Sequence, residues 1–458
     1  MNASSLKSLL GHYLFLFAMF FSGLILRFIM WIQPGIGWGR LLIYDVELYT
    51  EYGKAMIEAL LNEDLRQFAS INIGVPPLGT FIVGIFASVF ENAIGDIYRA
   101  GLLAPISFSS ACIPLIYLIL KKYSRKAAYA ASILFIIDPY LIQCSSAYLD
   151  AIGVFFLLVT IYVFMSSNGF TIKRIMLIGF SLTLSILTKF TFAIFAAFFI
   201  LLLIFVDRCY KAAAIIAAFS ALSLLFIPWI WFPETFQEAV IHHMSINSFL
   251  PPILFGPILI GIPESYPWYF LTYFGLGQVH WKVLPSLSHM LFFVTLIYFS
   301  FKRKLLLDRK MTIFLLASIL STVFIPRNYW TYSWGVGFAR SEEVLFKQFY
   351  HYYFYLANIS AGAAACGLLF GKPATHKAFH SRSSIIILAL YGLTAPYAFI
   401  MNAFFPYWSF IFTLILNFSR MNPVMGHHGL IAFIITTFIA LTTMVSAMII
   451  SRKPFSMK

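Results

Sequence analysis

The stretch YDVELYTEYGKAMIEALLNEDLRQFASINIGVPPLG, residues 44–79, decides the fold because it is a polar interruption in an otherwise apolar chain. Six of the seventeen acidic residues lie in it: Asp45, Glu47, Glu51, Glu58, Glu63 and Asp64. Helical spacing over residues 44–61 gives an apolar face, formed by Tyr49, Tyr52, Met56 and Leu60. The opposite face carries Glu47, Glu51, Lys54 and Glu58. The sequence therefore predicts an amphipathic helix at a membrane surface.

Asp45 breaks this pattern, because helical spacing puts it on the apolar face while the other acids keep to the solvated face. Two interpretations are open. Asp45 is either the N-cap of the helix, where its carboxylate accepts from free N–H groups, or a carboxylate held at the membrane interface and directed at a site. The rest of the chain has to decide between them.

Composition identifies a polytopic membrane protein. Of the 458 residues, 61% are hydrophobic and 10% are charged, which excludes a soluble globular chain. The net charge of +14 does not indicate nucleic-acid binding, because lysine and arginine collect in short loops between apolar spans. The four cysteines are too far apart to predict a disulfide or metal framework.

The basic loops set the topology, since such loops face the cytoplasm. They are residues 121–126, 173–174, 207–211, 302–310, 372–382 and 452–458. An even number of crossings between successive basic loops gives twelve spans of about 20 residues each. The predicted spans are 10–32, 99–120, 127–143, 149–165, 175–188, 190–206, 212–231, 285–301, 311–326, 349–370, 383–402 and 429–451. Both termini are then cytoplasmic.

Two further apolar stretches, 78–90 and 404–418, are predicted to lie at the interface, the first because it is too short to cross comfortably. Three long polar loops remain on the external side and hold nearly all the acids: 33–98, 232–284 and 327–348. None has the length or pattern of a separate soluble domain. We therefore predict one all-α membrane domain over residues 1–458, with interfacial helices in its first external loop.

Three charged residues lie where membrane segments rarely carry charge. Arg99 stands at the external mouth of the second span, Lys189 separates two short apolar helices, and Asp150 opens an almost wholly apolar span. A snorkelling arginine, an ion pair of Lys189 with Asp150 or Asp45, and a helix N-cap at Asp150 are the structural alternatives. Ionisable groups at membrane depth indicate function by default, and a pair of external carboxylates suits acid–base chemistry.

Histidines complete the candidate set. His242 and His243 follow a span end in the second external loop, and His351 precedes Tyr352 at the tenth span. Hydrogen-bonded interface residues are the alternative for all of them. Zinc-protease, phosphate-loop and dinucleotide motifs are absent from the sequence. External cations beside external carboxylates describe a site that holds an anionic phosphate near the membrane and activates a nucleophile.

Several short motifs occur in a fixed order along residues 1 to about 360. They are Asp45-Val46-Glu47, Val75-Pro76-Pro77-Leu78-Gly79, Tyr98-Arg99, Tyr148-Leu149-Asp150, Leu187-Thr188-Lys189, Pro228-Trp229 with His242-His243, and His351-Tyr352. In these motifs the chain resembles the GT-C superfamily of polyprenyl-phosphate-sugar-dependent glycosyltransferases, nearest the protein O-mannosyltransferases and the aminoarabinose lipid A transferase. It departs from their pattern in its Asp-x-Glu acids and at Val75 and Thr80, where the family has histidine and lysine.

The resemblance implies a GT-C-like bundle with a catalytic module over 1–210 and a variable module over 211–458. It also implies an inverting transfer of a sugar, mannose or another hexose, from a polyprenyl or dolichyl phosphate to a hydroxyl of a protein, glycan or lipid at the external face. Asp45 would be the general base, Glu47 would shape the acceptor side, and Asp150 would orient Lys189 or the acceptor.

The resemblance also assigns the remaining contacts. Arg99 and Lys189 would neutralise the donor phosphate, assisted by His242 or His243. Tyr49, His351 and Tyr352 are expected to be further substrate contacts in this interpretation. No cofactor is required, and the divalent-metal question stays open. The setting would be the cell membrane of a prokaryote or the endoplasmic reticulum of a eukaryote.

Two other functions fit parts of the pattern. A transporter or flippase of a lipid-linked or anionic substrate would also use buried charges and broken helices, and inverted repeats would favour it. An oligosaccharyltransferase-like enzyme acting on a lipid diphosphate would be expected to carry a large external C-terminal domain. The identity of the sugar, the acceptor, the lipid length and the oligomeric state do not follow from the residues.

Overall fold

The computed structural model describes residues 3–31, 44–71, 76–145, 149–166, 169–226, 287–301, 309–323 and 355–371. These ranges form α-helices, one short 3-10 turn at Ser223–Phe226, and no strand. The helices are α1 (Ala3–Trp31), α2 (Tyr44–Leu61), α3 (Leu65–Ser70), α4 (Pro77–Ile94), α5 (Ile97–Lys121), α6 (Arg125–Ile137), α7 (Pro139–Cys144), α8 (Asp150–Ser166), α9 (Ile172–Thr188), α10 (Thr191–Phe205), α11 (Tyr210–Leu222), α12 (Leu287–Phe301), α13 (Arg309–Val323) and α14 (Tyr355–Phe370). The predicted all-α class is confirmed for this part of the chain.

The core lies around α8 and α14, which are buried on nearly all sides. α8 packs against α5, α9 and α13, and α14 packs against α6, α12 and α13. Six phenylalanines from five helices fill the space between them: Phe135, Phe164, Phe195, Phe199, Phe292 and Phe314. Van der Waals packing and hydrogen bonds hold helices together inside a membrane, where lipid is as apolar as the side chains. The buried helices are therefore the frame on which the outer helices rest.

Within the described ranges, α4 and α5 are the two helices long and apolar enough to cross a membrane by length and composition. α5 corresponds to the span predicted at 99–120. α4 corrects the prediction for residues 78–90, because the helix continues through Glu91 to Ile94 and reaches 18 residues, about 27 Å. Shortness is thus no reason to keep α4 at the interface. The number of about twelve spans stays a prediction.

The span predicted as one helix over 127–143 is broken into α6 and α7 at Asp138-Pro139. Proline has no N–H and its ring clashes with the preceding turn, so it ends a helix even in an apolar run. Ser124 caps the start of α6, where its hydroxyl accepts from the N–H groups of Lys126 and Ala127 at 3.1 and 3.5 Å. The apolar count alone missed this break.

The first predicted external loop, 33–98, contains the helices α2, α3 and α4. α2 has the predicted amphipathic character, since Met56 is buried while Glu51 and Glu58 are exposed. Leu60 differs from the prediction and is exposed. α2 crosses α4 with the backbones of Gly53 and Gly84 in direct contact, which only glycine permits. This crossing fixes α2 against α4.

The short hairpin predicted between 175 and 206 is confirmed as α9 and α10, joined by Lys189 and Phe190. The Lys189 N–H donates to the Ser185 carbonyl at 3.2 Å, and the Lys189 carbonyl accepts from the Phe192 N–H at 3.1 Å. Lys189 thus closes one helix and opens the next. The predicted interfacial stretch 404–418 and the loops 232–284 and 327–348 lie outside the described residues.

Candidate functional site

α8 and α9 form an antiparallel pair that is hydrogen-bonded along its length. The hydroxyls of Thr160 and Ser181 lie 2.8 Å apart, and Ser185 Oγ donates to the Gly153 carbonyl at 2.9 Å. Hydroxyl and small residues at such spacing let helices approach closely in a membrane. These contacts fix the register of the two helices. The candidate site lies one level further along the pair, where α8 begins and α9 ends.

At that level Lys189 Nζ donates to Asp150 Oδ2 at 2.7 Å. Both side chains are largely buried, with 15% of Lys189 and 5% of Asp150 exposed. Asp150 is the first residue of α8, where the positive end of the helix dipole stabilises a carboxylate, and Lys189 follows the last residue of α9, where the negative end stabilises an ammonium. Of the structural alternatives for Lys189, the ion pair with Asp150 is the one observed.

The start of α4 packs against this ion pair. A side chain at position 79 would meet the Thr188 carbonyl at 2.9 Å and Leu149 Cδ1 at 3.1 Å, so Gly79 permits a contact that larger residues would block. Thr188 and Leu149 are the immediate neighbours of Lys189 and Asp150. Three motifs that are far apart in the sequence, Pro-Pro-Leu-Gly, Leu-Asp and Thr-Lys, therefore converge at one end of the bundle.

A small apolar cluster brings α2 and α5 to the same place. Val83, Ala104, Leu149 and Ile152 are its buried members, and Tyr49 packs against it. Tyr49 is one of the predicted substrate contacts, and the cluster it packs against includes Leu149, the residue that precedes Asp150. The N-terminal half of α2 is therefore close to the ion pair.

Asp45 lies inside α2, one residue after the helix begins, so the helix does not use it as the N-cap. Its side chain is outside the described part of the structure. Glu47 is half-buried, whereas helical spacing predicted a solvated face for it. Glu51, one turn further along α2, accepts from the Tyr98 hydroxyl of α5 at 2.7 Å.

Arg99 lies in the first turn of α5, which Asp96 caps by accepting from the N–H groups of Tyr98 and Arg99 at 3.0 and 3.3 Å. The Arg99 Nε lies 3.7 Å from Asp96 Oδ2 on the same helix, and 28% of its side chain is exposed. A contact this long, between partly exposed side chains of one turn, holds the guanidinium weakly. Arg99 is thus near the predicted external end of α5. Its charged neighbour is Asp96, whereas that of Lys189 is Asp150.

His242, His243, His351 and Tyr352 lie outside the described residues, as do Val75 and Tyr148. Within the described ranges, no three histidine, cysteine, aspartate or glutamate side chains are grouped to hold a metal ion. The described site contains a buried carboxylate, a largely buried ammonium and the start of α4, where Pro76 makes no side-chain cap hydrogen bond and neither Pro76 nor Pro77 has an N–H. An ammonium and the positive end of a helix dipole attract an anion, and a low-dielectric setting strengthens that attraction.

Sequence reasoning missed two members of this arrangement: Gly153 and Ser185. Their signal was available, since small and hydroxyl residues in apolar helices often mark helix–helix contacts. Gly153 also leaves room for the ring of Phe192, which a side chain there would strike. These residues bring α8, α9 and α10 close enough for the charged pair to form.

Comparison with known proteins gives one family match, to the model described as Dolichyl-phosphate-mannose-protein mannosyltransferase, over residues 74–232. This range begins just before Pro76 and contains Arg99, Asp150 and Lys189, but not Asp45. No curated protein matches the sequence.

Solved structures similar to this chain include ArnT from Cupriavidus metallidurans. The crystal structure bound to undecaprenyl phosphate is 12% identical, with 95% of this chain and 76% of that chain covered at a TM-score of 0.47. The apo structure is 13% identical, with 97% and 77% covered at a TM-score of 0.38.

Proposed function

We propose that this chain is a glycosyltransferase of the GT-C superfamily, which transfers a sugar from a polyprenyl phosphate to a hydroxyl acceptor at the external face of a membrane; the family match over residues 74–232 supports this. Mannose or another hexose is the proposed sugar. The acceptor class is a hydroxyl of a protein, glycan or lipid. Both termini face the cytoplasm in this proposal.

The observation that carries the proposal is the convergence of the α4 start, Asp150 and Lys189. These residues come from three separate motifs, all inside the region that matches the family model. A buried ion pair is costly to keep in an apolar bundle, and a membrane protein that needs only packing has no use for one beside the start of α4. A site for an anionic headgroup explains why the charges are kept there.

The proposed donor contacts follow from charge. The phosphate of the lipid donor would lie between Lys189 and Arg99, near the positive end of the α4 helix dipole, with His242 or His243 assisting. Charge-assisted hydrogen bonds from cations are about twice as strong as neutral ones. The same contacts would stabilise the negative charge that grows on the phosphate as it leaves.

The proposed chemistry is a single inverting displacement. The acceptor oxygen forms a bond to the anomeric carbon while the bond from that carbon to the phosphate oxygen breaks, and the polyprenyl phosphate leaves with the bonding pair. Asp45 takes the acceptor proton. Helical spacing puts position 45 on the same face of α2 as Tyr49, which packs against the apolar cluster that includes Leu149, and this supports Asp45 as the base.

The remaining residues have supporting roles in the proposal. Glu47, half-buried on α2, shapes the acceptor side. Asp150 holds Lys189 by the 2.7 Å hydrogen bond, so that the ammonium keeps its place when the donor is absent. His351 and Tyr352 are proposed acceptor contacts.

A transfer assay with radiolabelled donors tests this function. The purified protein in lipid vesicles is given a panel of polyprenyl-phosphate sugars, each with peptide, glycan and lipid acceptors. The proposal predicts label in one acceptor class and release of polyprenyl phosphate in equal amount. Glu58→Gln, a change on the exposed face of α2, serves as the matched control for Asp45→Asn. Release of polyprenyl phosphate with no label in any acceptor, for every donor in the panel, contradicts the proposal.

A further inference from the structure

Arg27 is a fully buried guanidinium in the apolar helix α1, with 1% of its surface exposed. Its Nε donates to Ser109 Oγ at 3.0 Å, its Nη1 to the Gly23 carbonyl at 3.3 Å and its Nη2 to the Phe135 carbonyl at 3.0 Å. The acceptors of these bonds, all in the described part of the chain, are neutral. A cation at such depth indicates a function, and nothing in the proposed chemistry uses it.

The bond to Phe135 has a specific cause. In an α-helix the Phe135 carbonyl would accept from the N–H of residue 139, but residue 139 is proline and has no N–H. An unpaired carbonyl inside an apolar bundle is costly. Arg27 supplies the missing donor, and so pairs α1 with the broken end of α6.

Trp31 makes the matching contact on the other side of the break. It lies one turn from Arg27 on the same face of α1, and its Nε1 donates to the Ile142 carbonyl of α7 at 2.8 Å. Only 2% of Trp31 is exposed. α1 therefore holds both arms of the elbow, the bend at Asp138-Pro139 between α6 and α7.

The elbow is also tied to the other half of the bundle. Asp138 accepts from the N–H and the hydroxyl of Ser288 in α12, at 2.8 and 2.6 Å. Ser109, which receives the Arg27 bond, lies 2.7 Å from the Tyr355 hydroxyl of α14. The elbow thus rests in a polar network that joins α1, α5, α12 and α14.

The elbow leads directly to the ion pair. α7 ends at Cys144 and α8 begins at Asp150, so a short piece of chain connects them. Leu141 and Cys144 of α7 are fully buried, as are Leu149 and Ala151 on either side of Asp150, and a close-packed interior transmits a displacement. A shift of the elbow would therefore move the Asp150 end of α8.

We infer that Arg27 and Trp31 are positioning residues, which hold the elbow and through it keep Asp150 in register with Lys189. The inference rests on the proposed function of the Asp150–Lys189 end. Arg27 acts through α6 and Trp31 through α7, the two arms of the elbow. Because a misplacement of about 1 Å can cost about a hundredfold in rate, a hold of this kind would show in turnover.

The test uses Trp31→Phe, which removes the indole donor, and Arg27→Lys, which keeps the charge but loses the planar fork. Two readouts are taken: kcat and KM for the donor, and the rate at which N-ethylmaleimide alkylates Cys144, followed by mass spectrometry. Cys366, also fully buried, is the internal reference. Arg174→Lys is the control variant, because Arg174 donates to the Gly169 carbonyl at the opposite end of the α8–α9 pair.

We expect kcat to fall about ten- to a hundredfold with KM nearly unchanged, as for loss of alignment in the transition state. Alkylation of Cys144 should rise about three- to tenfold, the effect of one lost hydrogen bond on a local opening, while Cys366 stays protected. Trp31→Phe keeps the test decisive if Arg27→Lys does not fold.

Three outcomes overturn the inference. The first is unchanged Cys144 alkylation in both variants, and the second is an equal rise at Cys366, which indicates general loosening. The third is faster Cys144 alkylation with wild-type turnover, which shows that the elbow is held for structure alone. If the unmodified protein transfers no sugar, the proposed function fails, and the Cys144 rates still decide whether Arg27 and Trp31 hold the elbow.

Discussion

Removal of the Lys189 ammonium gives the sharpest stability prediction. In Lys189→Met the Asp150 carboxylate, 5% exposed, loses the partner that lies at 2.7 Å. Breaking a buried pair by removing one member costs about 3 to 5 kcal/mol, because the other charge stays buried without compensation. The 15% exposure of Lys189 lets some water reach the pair, so we expect about 3 kcal/mol, the lower end of that range.

The double variant Asp150→Leu, Lys189→Met separates structure from function. Replacing both charges by apolar side chains of similar size should return the free energy of unfolding to within about 1 kcal/mol of the unmodified protein. Transfer should stay about a hundred- to a thousandfold lower, because the donor phosphate has lost a cation. In this double variant the free energy of unfolding therefore recovers while the rate of sugar transfer does not.

The free energy of unfolding is measured by SDS titration in mixed micelles, followed by far-UV circular dichroism, as a double-mutant cycle. The exposed pair of Lys54 and Glu91, 3.3 Å apart with 40% and 41% of the side chains exposed, is the matched control and should give less than about 1 kcal/mol. A cost for Lys189→Met no larger than for Lys54→Met would refute the electrostatic reasoning. Recovery of both stability and transfer in the double variant would remove Lys189 from the donor site.

Three further predictions concern topology, packing and the second cation. A cysteine at Asn62, which is exposed in the turn after α2, should react with an impermeant maleimide in intact cells, whereas one at Lys173 should react only after permeabilisation; labelling of Lys173→Cys from outside reverses the orientation. Gly79→Ala should cost about 1 to 3 kcal/mol and reduce transfer because it pushes α4 from α9, while Gly169→Ala, which meets nothing within 4 Å, should have no effect on either measurement. Arg99→Ala should weaken polyprenyl phosphate binding by about 2 kcal/mol, a roughly thirtyfold rise in Kd, and Arg99→Lys should recover part of the loss. An unchanged Kd in isothermal titration takes Arg99 out of the site.

Much of the helical frame was predictable because apolar length alone sets it. α8, α9 and α10 begin and end within about three residues of the predicted spans, a normal scatter for helix boundaries. Two features of the frame could not be predicted from apolar length. Apolar counting ended α4 at Phe90, although Glu91 and Asn92 continue the helix, and it passed through Pro139, where the backbone rather than hydropathy decides.

The candidate site was predictable where local geometry decides it. α8 and α9 have 17 residues each, so a tight antiparallel pair brings Asp150 and Lys189 to the same level, and their pairing was one of the alternatives drawn from the sequence. The contact of Gly79 with Thr188 joins residues more than a hundred positions apart, and no local pattern encodes it. Arg27 was overlooked, although a single arginine in an apolar span is itself a signal.

The most direct test of the central claim separates chemistry from transport. Vesicles that contain the purified protein are given a polyprenyl-phosphate sugar labelled in the sugar and a soluble hydroxyl acceptor, and acceptor label, free polyprenyl phosphate and intact donor in each leaflet are measured together. The account predicts acceptor label and polyprenyl phosphate in equal amounts from the unmodified protein and from Glu58→Gln, with a loss of about a hundredfold or more in Asp45→Asn. Movement of intact donor between leaflets, with no label in any acceptor, would contradict the account and identify a transporter.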